Sequence, residues 1–232
     1  MGGKEWLLTP GQPGSLTLDG ADWRLWSPDG SYIFGTRPGR LVETSIGGSG
    51  EVRDVRSLKG SPQDISQNGK QILMLGKGGI SALALDGAEE ENSHKVAIPT
   101  GESIYVPSFS PDGQWIVYLV RAKGSYGVYA QPIARPGLRT QIFAERGFPI
   151  WLKDGKEIAI ANAAGVWSVK VDAAGAALRF GAPALLFSGL RLPAGTIISA
   201  RLLAVSRDGS RFYFPQAAEQ PDSGVIHIKM GF

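Results

Sequence analysis

The sequence predicts an all-β chain of small antiparallel sheets set side by side around an axis, and three observations predict it. Composition comes first: 32 Gly and 15 Pro in 232 residues leave little room for long helices, because both residue types cost helix stability. At 43% hydrophobic residues the chain is also too apolar to remain disordered. The second observation is a motif that recurs five times: an apolar residue, two or three polar or turn residues, then Asp-Gly or Asn-Gly. Its glycines are Gly30, Gly69, Gly113, Gly155 and Gly209, at intervals of 39, 44, 42 and 54 residues. The third is the short apolar run after each motif, which is bounded by turn residues and carries the signature of a strand.

In order along the chain, the first unit carries Trp26-Ser27-Pro28-Asp29-Gly30 and then strands at 32–34, 41–46 and 52–55. Asp-Gly between two apolar runs marks a hairpin, since Gly accepts positive φ without steric cost. The second unit repeats the pattern at Ile65-Ser66-Gln67-Asn68-Gly69, with strands at 72–75, 80–85 and 95–98. The third has Phe109-Ser110-Pro111-Asp112-Gly113, with strands at 115–119, 127–133 and 140–143. The fourth has Trp151-Leu152-Lys153-Asp154-Gly155, with strands at 158–160, 166–171 and 184–187. The fifth has Val205-Ser206-Arg207-Asp208-Gly209, with strands at 212–214 and 225–230 and no fourth strand of its own. Third strands mostly alternate, as strands with unlike faces do. Fourth strands are more polar, as suits an outer edge that must resist pairing with other chains.

Four antiparallel strands every 40–45 residues is the sequence form of a β-propeller. A sandwich would not require the same corner five times. The expected organisation is one domain over 1–232, with blade-like units at about 20–60, 61–101, 102–146, 147–189 and 197–232. Residues 5–9 resemble the outer strand of the second unit and are expected either to complete the fifth blade, closing the ring, or to finish a blade that begins upstream in a longer parent.

Charge and cysteine narrow the chemistry. Twenty-four Lys and Arg against 21 Asp and Glu give a net charge of +3, and there is no cysteine. Disulfides, thiolate metal sites and cysteine nucleophiles are excluded. No Lys/Arg stripe forms a phosphate-binding footprint, so no nucleic-acid partner is expected. No stretch reads as a signal peptide or a membrane span, so no direct membrane insertion is expected.

At its corners the sequence resembles the TolB-like, WD-related β-propeller repeats of bacteria, whose signature is an apolar residue, Ser-Pro-Asp-Gly and an apolar strand. Residues 26–34 and 109–119 match it closely; the other three units depart at Ser or Pro but keep the turn. Residues 128–132, 149–157 and 181–187 are similar to the propeller sensor region of bacterial Ser/Thr protein kinases. That resemblance implies an extracytoplasmic interaction domain, with a kinase region upstream in a parent protein. The kinase motifs themselves are absent, as is the Gly-x-Ser-x-Gly elbow of the peptidases that carry similar propellers; Gly47-Gly48-Ser49-Gly50 is followed by Glu51.

No catalytic constellation is legible. His94 precedes a strand and His227 sits in the alternating terminal strand, and neither has a sequence partner for acid–base work. The repeated acids Asp29, Asp112, Asp154 and Asp208 are expected to cap their own turns rather than converge on calcium, which needs six to eight oxygens at one point. Gly76-Lys77-Gly78-Gly79 precedes no helix that would hold phosphate. Trp26, Phe109, Trp151 and Val205 occupy one position of the repeat and are expected to pack between blades. Trp23, Tyr105, Phe148 and Arg201 approach or open the first strands, near a channel mouth, and aromatic residues and Arg are the usual interface anchors; these four are the expected partner contacts. No cofactor or metal is expected.

The sequence therefore points to a non-enzymatic interaction or sensor module that presents loops and a channel mouth to a protein or peptide. The alternatives are an accessory or gating propeller of a kinase or peptidase parent, or a propeller enzyme with carboxylates in the central pocket. The location follows the parent: periplasmic for a receptor-kinase-like protein, cytoplasmic otherwise.

Overall fold

The computed structural model describes residues 5–8, 15–18, 21–46, 51–85, 93–96, 101–135, 137–152, 154–174, 177–189, 203–206 and 211–213. All regular structure among them is β. An N-terminal hairpin pairs β1 (Glu5–Leu8) with β2 (Ser15–Leu18). The first blade is β3 (Asp22–Trp26), β4 (Tyr32–Arg37), β5 (Arg40–Ser45) and β6 (Val52–Ser57). The second is β7 (Ser61–Ile65), β8 (Gln71–Gly76), β9 (Gly79–Ala84) and β10 (Ser93–Val96). The third is β11 (Glu102–Phe109), β12 (Trp115–Ala122), β13 (Ser125–Pro132) and β14 (Thr140–Phe143). The fourth contains β15 (Phe148–Trp151), β16 (Glu157–Asn162), the long β17 (Gly165–Ala174), β18 (Ala177–Phe180) and β19 (Ala184–Ser188). Of the fifth unit, the pair β20 (Ala204–Val205) and β21 (Phe212–Tyr213) is described. Its expected strand at 225–230 lies outside the described residues, and with it any pairing to residues 5–9.

In the first three blades the strands pair in sequence order, and in the fourth β19 pairs with β17, as β18 also does; the first strands of successive blades lie against one another, β3 on β7, β7 on β11 and β11 on β15. The first strand is therefore innermost. The cores lie between blades, and the pleat explains how. Successive strand residues face opposite sides, so in β12 Ile116, Tyr118 and Val120 pack toward the second blade while Val117 and Leu119 pack toward the fourth. In β16, Ile158 and Ile160 face the third blade, while Ala159 and Ala161 join Leu203 of the fifth unit. Continuous apolar runs are the sequence trace of strands buried on both faces. Fully buried aliphatic side chains each contribute about 1.5–3 kcal/mol, which no blade could gather alone.

One element was not legible in the sequence. β17 runs past the blade and folds back as β18, from Val171↔Phe180 to Ala174↔Ala177. This places Phe180 edge-on to Trp115 of the third blade at 6.0 Å, so the extension clips two blades together.

Candidate functional site

The corner motif builds a repeated local structure. In the first blade Ser27 Oγ donates to Asp29 Oδ1 at 2.6 Å, and the Ser31 amide and hydroxyl donate to the same carboxylate. The Tyr32 amide returns to Ser27 Oγ at 2.9 Å. Ser66 with Asn68 and Ser110 with Asp112 repeat the arrangement. In the fourth blade Leu152 replaces the serine, yet Asp154 still accepts the Lys156 amide at 3.0 Å. Gly30, Gly69, Gly113 and Gly155 follow at φ of 76°, 71°, 69° and 70°, where only Gly is unstrained. The acids cap their own turns, as expected; Asp208 lies outside the described residues. The hydroxyl of Ser27, and then the Ser31 amide and hydroxyl, hold the Asp29 carboxyl down at about 2.

The corners also nest. A Cβ on Gly69 would sit 4.0 Å from Pro28 Cδ, and one on Gly155 3.9 Å from Pro111. Each proline of the motif thus seats the next blade's glycine, which gives the Ser-Pro-Asp-Gly signature an inter-blade role beyond its own turn.

The ends of the inner strands carry a second repeated device. β3, β7 and β11 each hold one residue more than the partner strand, the register stepping from Trp23↔Gly35 to Leu25↔Phe34, from Pro62↔Met74 to Asp64↔Leu73 and from Tyr105↔Leu119 to Ser108↔Val117. Such a bulge reverses which face the following residues present. In β11 it includes Val106 at φ 45°, a rare conformation for a β-branched residue. After the bulges, Asp64 of the second blade meets the third: its Oδ2 accepts Ser108 Oγ and the Phe109 amide, both at 2.9 Å.

These strand ends and corners from four blades enclose a cavity of about 750 Å³, within the range of ligand pockets. Trp26 and Asp29 line it from the first blade, Asp64 from the second, Ser108 and Pro111 from the third and Trp151 from the fourth. Trp26 departs from its expected role: it is 48% exposed on the cavity rim, whereas Phe109 and Trp151 at equivalent positions are buried between blades. Trp151 is 6% exposed, and its Nε1–H has no acceptor among the described residues. No Lys, Arg or His lines the cavity among the described residues.

Of the four expected partner contacts, Tyr105 and Phe148 lie outside the lining of this cavity. Trp23 and Phe148 each precede a cavity-lining tryptophan by three strand residues, roughly 10 Å at strand rise. Phe148 is a buried core residue beneath Arg146, and Tyr105 is half-buried against the same core. The side chain of Trp23 and the whole of Arg201 lie outside the described residues. The cavity is thus at the corner end of the inner strands. Its signal in the sequence is the motif itself, whose composition marks a turn and gives no sign of a rim. Among the described residues, no group of three His, Cys, Asp or Glu could hold a metal, and no helix is long and apolar enough to cross a membrane.

No family model matches the chain. It is 38% identical over 91 residues to the Tol-Pal system protein TolB of Francisella tularensis subsp. mediasiatica, a stretch covering 38% of this chain and 21% of that protein. The match therefore spans about a fifth of the curated relative's length. Among solved structures, a protein described as TolB from Agrobacterium tumefaciens superposes with a TM-score of 0.60 at 20% identity, covering 87% of this chain and 72% of that one. TolB from Acinetobacter baumannii gives 0.59 at 16% identity, covering 89% and 52%. The chain has the β-propeller fold that the TolB structures share, and over 91 of its residues it is similar in sequence to TolB.

Proposed function

We propose that this chain is a non-enzymatic interaction module that binds a protein or peptide at the corner-side mouth of its propeller. One observation carries the reading. A cavity of about 750 Å³ opens where four inner strands end, with an exposed tryptophan at its rim. The two carboxylates lining it are both engaged in structural hydrogen bonds, Asp29 within its corner and Asp64 across a blade boundary. General acid–base work needs a group free to move a proton at a substrate. The scaffold itself hosts enzymes as well as binding modules, so the site decides. Similarity to a Tol-Pal system protein supports a protein partner and the periplasmic one of the two locations. A sensor role coupled to a kinase region is the narrower form of this reading, and it rests on the resemblance of residues 128–132, 149–157 and 181–187 alone.

Site-specific photo-crosslinking in the native bacterium tests it. A crosslinking amino acid at position 26 is expected to capture a discrete protein, while the same group at exposed Arg179 captures none. Equal capture at both positions, or none at either, would overturn the reading.

A further inference from the structure

We infer that the peptide bound at this mouth presents a cationic side chain, Lys or Arg, to Asp64, Asp29 and the face of Trp26. The inference rests on the interaction-module function and names the partner's chemistry. Asp29 and Asp64 are the charged residues that line the cavity among the described residues, both of one sign. A cleft whose charges are of one sign concentrates ligands of the opposite charge. The hydrogen bonds that Asp29 accepts keep its carboxyl ionised down to about pH 2, so the field persists at any physiological pH.

The aromatic lining selects among cations. A guanidinium or ammonium over a tryptophan face is attracted by the ring quadrupole, and Trp26 offers a half-exposed ring at the rim. This chain already uses the contact elsewhere, with Arg139 over Tyr129 at 4.5 Å. Acidic peptides and phosphorylated ligands are repelled by the same carboxylates.

Selection from a random heptapeptide library displayed on phage tests this, with the whole chain as bait and its W26A variant for counter-selection. The expected result is enrichment of Lys and Arg at one position by about fivefold or more, the scale of one desolvated cation–π contact. Synthetic copies should then lose affinity by about fivefold on W26A and weaken further as salt shortens the screening length. Selected peptides without charge bias, or biased to Asp and Glu, would overturn the cationic inference and leave the module reading standing. A library that yields no binder competed by W26A would overturn the module reading itself.

Discussion

Asp64 and Ser108 join two blades through a single carboxylate. The Ser108 hydroxyl donates to Asp64 Oδ2 at 2.9 Å, and the Phe109 amide donates to the same oxygen at the same distance. Both residues sit just beyond a bulge in their own inner strand. Propeller blades are usually described as held by apolar packing, and here a charge-assisted latch is added where that packing gives way to the cavity.

Asp64→Ala is therefore expected to destabilise the chain by about 2–3 kcal/mol, since it deletes hydrogen bonds to a charged group and strands the Phe109 amide. Ser108→Ala deletes one of the two and should cost less, about 1 kcal/mol. Urea unfolding of the three proteins checks the order. Equal stability of Asp64→Ala and the parent would mean that the latch contributes nothing to holding the blades.

The corner glycines should separate from loop glycines. Gly113→Ala places a side chain at φ 69°, a conformation costing L-residues about 1–2 kcal/mol. Gly78→Ala introduces a Cβ with nothing within 4 Å and should stay within about 0.5 kcal/mol of the parent. Differential scanning calorimetry of the two variants reads the contrast directly.

Tyr118 is fully buried, donates to Gln131 Oε1 at 2.6 Å and stacks on Tyr129 at 6.3 Å. Burial pushes its phenol up to about 12, against an ordinary 10.0. The folded state thus holds a proton that the unfolded state releases first. The corresponding stability is whole below pH 10 and is lost as pH rises toward 12. Tyr118→Phe should lack this alkaline component while losing about 1–3 kcal/mol at neutral pH, because Gln131 is left unpaired in the core. Unfolding curves from about pH 8 to about pH 12 would show the two effects separately.

Asp29 responds in the opposite sense. Its carboxyl is held near 2 by Ser27 first and Ser31 second, so its contribution is present above its ordinary 3.8 and is lost as pH falls through 2. In Ser27→Ala the Asp29 midpoint should climb toward the ordinary value, read as the carboxyl carbon shift in an NMR titration. An unchanged midpoint would mean that the serine does not govern this corner.

Much of this architecture was legible because it is periodic. The corners at Asp29, Asn68, Asp112 and Asp154 announce themselves by composition alone, since positive φ and a side-chain cap need Gly and Asp or Asn at fixed offsets. The paired faces of β12 and β16 follow from runs such as Ile116–Leu119, where both neighbours are apolar. Features that break the period were not legible. The bulge at Val106 leaves no compositional mark, so nothing in the sequence shows that Ser108 turns toward Asp64, 44 residues earlier. β18 reads as a weak alternation, and its use emerges only when Phe180 meets Trp115. Trp26 shares its repeat position with buried Phe109 and Trp151, yet it stands at the rim. A repeat specifies what each copy is, whereas exposure depends on which neighbours that copy has.

The approach of Gly69 to Pro28 and of Gly155 to Pro111 makes the seams of this wheel unequal. At the seam between the second and third units, where Gln67 stands in place of the proline, Gly113 lies near the Gln71 side chain instead. Rigid rings therefore alternate with a flexible amide around the corner side, and relative movement of neighbouring sheets should be easiest where the ring is missing.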